Sequence, residues 1–171
     1  MMKSWISFVS MSDQELLRLV RVDVFKGSGR GGQKRNKTSN AVRLTLESIS
    51  VTDNTSRSKE ENTRHALKKL RLAIALDTSG RFSRNCDLTS ISGLNSYIKG
   101  GIIRINASNP QLVPFLGVIV DQLMIHKGNW KEVAAHFQVS VSQLRKFAGK
   151  HPRLLEKTKN LQFSEVSSGD G

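Results

Sequence analysis

Two rhythms of apolar residues alternate along the first half of this chain. Leu16, Leu17 and Leu19-Val20 follow Ser12 at helical spacing, and Glu15, three residues after Ser12, completes a capping box, so a short helix is predicted there. Val22 and Val24 alternate with polar neighbours as a strand. Ala41 to Leu46 alternate again, and Ile49 and Val51 supply a third strand that turns at Asp53-Asn54. From Ser58 to Leu76 the rhythm is helical once more. Ala66, Leu67, Leu70, Ala73 and Ile74 recur on one side while Arg57, Lys59, Arg64, Lys68 and Arg71 mostly take the others, which predicts a helix covering one side of the sheet.

Residues 77–100 are rich in Ser, Asn, Gly and Thr and keep no period, the composition of a mobile insertion. Ile102 to Ile105 reads as another strand, and Asn109-Pro110 and Pro114 mark the step into a helical tail. Within it, Trp130 to Phe137, the turn Gln138-Val139-Ser140 and Val141 to Phe147 have the pattern of a helix-turn-helix, with alanines where two helices pack and Ser140 capping the second. The expected fold class is α+β: a small mixed sheet covered by a helix, a glycine-rich loop between two strands, and an all-α tail. The expected divisions are an extension at 1–9, the α+β domain at 10–107, the helical domain at 108–163 and a disordered tail at 164–171.

Charge narrows the partner. The 171 residues carry 27 Lys+Arg against 14 Asp+Glu, a net charge of +13, which favours a polyanion through counterion release and long-range attraction. The cations cluster. Lys26, Arg30, Lys34, Arg35, Lys37 and Arg43 surround glycines 27, 29, 31 and 32 with no carboxylate between Lys26 and Arg43; a second group runs from Arg145 to Lys159. Glycines in such a run allow positive φ and remove the Cβ atoms that would keep main-chain N–H groups from a substrate.

Other chemistries find little support. A lone Cys86 and four scattered histidines give neither a disulfide framework nor metal-ligand spacing, and a reducing compartment is expected. Trp5 to Val9 is apolar but short, follows one lysine and lacks a small-residue cleavage pattern; a docking strand, a frayed terminus and a start at Met11 all fit it. Gly27-x-Gly29-x-x-Gly32 matches the dinucleotide fingerprint, with Glu47 some 20 residues on. That fingerprint must open an amphipathic helix, whereas Gln33 to Asn40 has no apolar face and leads into a strand. A phosphate-binding loop of the Gly-Lys-Ser/Thr type is also absent from the sequence.

Gly29-Arg30-Gly31-Gly32-Gln33, then Asn36-Lys37-Thr38 and Ala41-Val42-Arg43-Leu44, resembles the catalytic domain of class I peptide chain release factors and of their codon-independent relatives that rescue stalled ribosomes. A second segment, Arg57-Ser58, Asn62, Ala66-Leu67 and Leu70, resembles the helix that follows in those proteins. Two motifs in the right order, over roughly 20 to 75, say far more than a tripeptide, for which a plain surface loop would be the better reading.

The resemblance implies a substrate, the ester that joins the nascent peptide to the terminal ribose of tRNA, and as partners the ribosome with its rRNA and peptidyl-tRNA. It implies catalysis by Gly31, Gly32 and Gln33, in which the two glycines shape the backbone so that the Gln33 main-chain N–H stabilises developing negative charge. One such donor is worth about 2.7 to 4 kcal/mol of barrier. The Gln33 side chain would position water and exclude larger nucleophiles. It has no useful pKa for a base. Lys26, Arg30, Lys34, Arg35, Asn36, Lys37, Arg43 and Arg57 would bind RNA. His65, the nearest histidine, reads as a surface residue of the helix.

No metal, cofactor or membrane is implied; the setting is the cytoplasm, and a glutamine methyltransferase acting on Gln33 is compatible with the family. Departures from the family pattern are Arg30 at a position usually small or proline, Lys34-Arg35 for the commoner His-Val, and Lys59 for the frequent Gln. Nothing in the sequence resembles the stop-codon-reading domain, so the activity expected is codon-independent hydrolysis of peptidyl-tRNA. Two alternatives stay open: a non-catalytic rRNA-binding factor in ribosome assembly, and a transcriptional regulator using residues 129–149 on DNA.

Overall fold

Alternation in the sequence becomes three antiparallel strands, β1 Arg21–Phe25, β2 Ala41–Leu46 and β3 Ile49–Asp53, in the order β1-β2-β3. This computed structural model describes residues 1–27 and 40–166, with the side chains of 160 and 162–166 outside that description. It divides into two compact units, Ser7–Ile74 and Met1–Ile6 with Ala75–Gly171.

In the first unit, helix α2, Asp13–Leu19, starts on the expected capping box: Ser12 Oγ accepts from the Glu15 N–H at 3.3 Å while the Glu15 carboxylate accepts from the Ser12 N–H at 2.8 Å. Leu16 is buried, but Leu19, which shares the apolar helical spacing, is exposed. The α+β class holds. The sheet, however, is wholly antiparallel rather than mixed, because sequential strands joined without a crossover helix can pair only that way. Central β2 buries Val42, Leu44 and Leu46 on one face and exposes Arg43 on the other. Its two-residue turn into β3 places Glu47 at φ 53°.

Helix α3, Lys59–Ala75, buries Ala66, Leu67, Leu70 and Ile74 as its spacing predicts. Polar bonds fix it to its own unit. Lys69 Nζ donates to the Thr52 carbonyl at 3.0 Å, and Arg71 pairs with Asp13 at 2.8 Å and donates to the Met11 carbonyl at 2.8 Å.

The second unit contains the start of α1, Trp5–Val9, and four later helices: α4 Leu112–Ile125, α5 Trp130–His136, α6 Val141–Ala148 and α7 Pro152–Val166. Helix α7 therefore runs into the tail expected at 164–171, of which 167–171 lie outside the described residues. Phe115 of α4 meets Phe137 and Phe147 at ring separations of 5.5 and 5.6 Å, an aromatic core for the three helices α4 to α6.

The helix-turn-helix is present. Asn129 caps α5 and Ser140 caps α6, while Gln138 takes φ 54° between them and its N–H and that of Val139 close on the carbonyls of Ala135 and Ala134, both at 3.0 Å. Residues 77–100 differ from the sequence expectation. They end in a hairpin, β4 Ile98–Lys99 and β5 Ile102–Ile103, turned by Gly100 and Gly101 at φ 58° and 71°, so the expected strand at 102–105 is only its last arm. They are also anchored: the buried Asp121 carboxylate accepts from the Trp5 indole N–H at 2.7 Å and the Cys86 N–H at 2.8 Å, and pairs with Arg84 at 2.6 Å.

Candidate functional site at the feet of the glycine-rich loop

Phe25 and Ala41 face each other as the last pair of the β1–β2 ladder, so the basic stretch between them leaves and rejoins the sheet at one place. Gly31, Gly32 and Gln33, together with Arg30, Lys34, Arg35, Asn36 and Lys37, lie outside the described residues. The two feet of that stretch are described; the segment that carries β3 into α3 holds the far one by hydrogen bonds and passes beside the near one.

At the far foot, Asn62 is fully buried on the first turn of α3. Its Nδ2 donates to the carbonyls of Asn40 at 2.7 Å and Ser56 at 2.9 Å, and its Oδ1 accepts from the Ser56 N–H at 2.8 Å. Asn40, also buried, donates from its own side chain to the Ser56 carbonyl at 3.1 Å. A buried amide with its donors and acceptor bonded, as in Asn62, fixes geometry as well as adding stability, because each alternative leaves a polar atom without a partner.

At the near foot, Gly27 passes close to Asn54. A Cβ there would lie 3.4 Å from the Cβ and Nδ2 of Asn54 and 3.6 Å from the Cβ of Ala41, ordinary contact distances. Gly27 is not in the left-handed region, so the sequence expectation of positive φ does not extend to this glycine.

Asp53 anchors the holding segment. Its carboxylate accepts from the Thr55 N–H at 3.1 Å and the Thr55 hydroxyl at 2.7 Å and pairs with Lys69 at 2.8 Å. Burial alone would raise this carboxyl, but the hydrogen bonds from Lys69 and Thr55 and the Lys69 charge outweigh it and bring its pKa down to about 2. His65 Nδ1 lies 3.1 Å from the Thr55 hydroxyl and 3.4 Å from Asp53; its ring braces the turn at the surface, as a structural residue would.

Of the expected RNA-binding residues, Lys26, Arg43 and Arg57 are described, and all three are exposed. Lys26 directly follows β1, Arg43 lies on the open face of β2 with its guanidinium 5.1 Å from the centre of the Phe25 ring, and Arg57 lies between β3 and α3. Among the described residues none of these three forms an ion pair with a carboxylate. The far foot thus has a hydrogen-bonded backbone, and three exposed cations without a carboxylate partner among the described residues lie around the two feet.

Sequence reasoning named Asn62 without giving it a task and overlooked Asn40, Asn54 and Asp53 as positioning residues. A signal was present. Asn62 occupies the same stripe as Ala66, Leu70 and Ile74, and a polar residue on an apolar stripe must find buried partners.

Residues 11–94 match the family model of the RF-1 domain, so this portion of the chain is similar to the catalytic domain of class I release factors. Among individual proteins, peptide chain release factor 1 of Ligilactobacillus salivarius (strain UCC118) is 44% identical over 57 residues, which cover 32% of this chain and 16% of that protein. No solved structure gives a significant match. No described helix is long and apolar enough to cross a membrane.

Proposed function

We propose that this protein hydrolyses the peptidyl-tRNA ester on the cytoplasmic ribosome without reading a stop codon. Water attacks the ester carbonyl, and the Gln33 main-chain N–H donates to the oxygen on which charge develops, a contribution of about 2.7 to 4 kcal/mol that leaves the rest of the catalysis to rRNA and tRNA. Gly31 and Gly32 give the backbone a path that a Cβ would obstruct, and the Gln33 side chain orders the water. Lys26, Arg30, Lys34, Arg35, Asn36, Lys37, Arg43 and Arg57 hold RNA phosphate around it. Gln33 is also the position that a glutamine methyltransferase would modify.

The observation that carries this reading is the hydrogen-bonded grip on the far foot of the loop within the stretch that matches the RF-1 domain. Asn62 bonds the Asn40 carbonyl at 2.7 Å where the stretch containing Gly31-Gly32-Gln33 rejoins the sheet. Such anchoring lowers the entropy lost when a loop is ordered for catalysis.

Peptide release tests the proposal. Purified protein should free peptide from ribosomes stalled on truncated mRNA, whereas Gly32→Ala and Gln33→Ala should still sediment with those ribosomes and lose most turnover. Equal release by wild type and both variants would remove the catalytic assignment. Binding with no release by any of them would favour an rRNA-binding assembly factor.

A further inference from the structure

Between Glu132 and Glu156 the chain has no Asp or Glu, yet it carries Arg145, Lys146, Lys150 and Arg153. Folding brings these cations to the surface. Helix α6 turns Leu144, Phe147 and Ala148 inward and leaves Ser142, Arg145, Lys146 and its C-cap Gly149 in solvent, the spacing of a single helix face; exposed Lys150 follows in the turn and Arg153 on the first turn of α7. Among the described residues none of the four cations is ion-paired. An unneutralised cationic face of this kind attracts phosphate.

We propose that the exposed face of α6, continued by Lys150 and Arg153, binds the sugar-phosphate backbone of RNA. Only the choice of RNA over DNA leans on the ribosomal reading above; the phosphate chemistry stands on the face itself. Arg145 stacks over the Trp130 ring at 4.8 Å, which holds its guanidinium against the protein instead of leaving it free to reach a base edge. Lys146 and Lys150 are point charges suited to phosphate, not to planar two-point recognition of bases. The deep, narrow groove of A-form RNA would not admit α6, so the contact runs along the backbone and tolerates sequence. In this surface the helix-turn-helix serves as a rigid mount for cations.

The full-length chain tests this with a 30-base-pair RNA hairpin as probe, titrated at a series of KCl concentrations. The Lys146→Gln/Lys150→Gln/Arg153→Gln variant should keep the wild-type circular dichroism spectrum, lose roughly tenfold or more in affinity at low salt, and show a slope of log affinity against log salt shallower by about 2 to 3. Wild type gives a second readout, in which bound RNA should protect Lys146 and Lys150 from acetylation. An unchanged slope with equal acetylation in the free and bound states would overturn the proposal, as would tighter binding to a matched DNA duplex than to RNA. Peptide release is read separately. Its absence in wild type counts against the hydrolase reading alone, and an unchanged salt slope against this face alone.

Discussion

The Asn62 side-chain amide donates to the main-chain carbonyl of Asn40 at 2.7 Å across 22 residues of sequence, tying the first turn of α3 to the point where the glycine-rich loop rejoins the sheet. The position of Asn40 and that of the helix start are thereby coupled. Any change that moves α3 lengthwise moves the loop foot with it.

Asn62→Ala removes both donors and the acceptor for the Ser56 N–H. With each unsatisfied buried group costing about 1 to 3 kcal/mol and some relaxation toward water, urea denaturation should show a loss of about 2 to 3 kcal/mol. Asn62→Asp keeps an acceptor for Ser56 but turns a carboxylate oxygen toward two carbonyls. It should be no more stable than the alanine variant. Both should release peptide more slowly than wild type, and wild-type stability in either would refute the assigned role.

Asp53 sets an acid limit on the same region. Its carboxyl sits at about 2 in the folded protein against an ordinary 3.8. Because the folded value is depressed, the stabilisation is complete above the unfolded value and is lost as pH falls through that window toward 2. The difference corresponds to roughly 2 kcal/mol at neutral pH. Asp53→Asn should lose about that much at pH 7, and its deficit relative to wild type should vanish as pH approaches 2. A deficit independent of pH would mean that the pairing with Lys69 contributes nothing.

Two glycines should respond in opposite ways. Gly27→Ala finds ordinary contact distances and an unexceptional φ, so its stability should stay within about 0.5 kcal/mol of wild type. A Cβ on Gly117 of α4 would fall within contact-forbidden range of the Trp5 ring carbons, and the buried ring has no room to withdraw. Gly117→Ala should cost about 1 to 3 kcal/mol or more and change tryptophan fluorescence. Thermal unfolding of the pair checks both statements.

Asp121 is the charge on which the second unit depends. Burial lowers the pKa of the Arg84 guanidinium, and the adjacent Asp121 charge opposes that shift. Asp121→Asn strands a buried cation and weakens acceptance from the Trp5 indole and the Cys86 N–H, which should destabilise the unit by about 3 to 5 kcal/mol in denaturant titrations. A loss below about 1 kcal/mol would show that Arg84 reaches water.

Local signals were legible in the sequence and distant ones were not. The Ser12–Glu15 capping box, the strands around Val22, Val42 and Val51, the stripe of α3 and the Ser140 cap all depend on neighbours a few residues apart. Residues 77–100 looked structureless because what orders them, Arg84 on Asp121, spans 37 positions and leaves no period; their Gly100-Gly101 turn was a readable signal passed over. Leu19 misled because helical spacing does not say where a short helix stops being covered. The Gly31-Gly32-Gln33 motif was plain in the sequence, while the asparagines that grip its loop become visible only once Asn62 is seen facing Asn40.

The bond from Trp5 to Asp121 joins partners 116 residues apart, so the second unit is assembled from the beginning and the latter part of the polypeptide around an intervening one. During synthesis, Ser7–Ile74 is finished first and can fold while Trp5 still waits for its acceptor to be translated. Nascent chains of this protein should therefore become protease-resistant in two stages, with Trp5 shielded only in the later one.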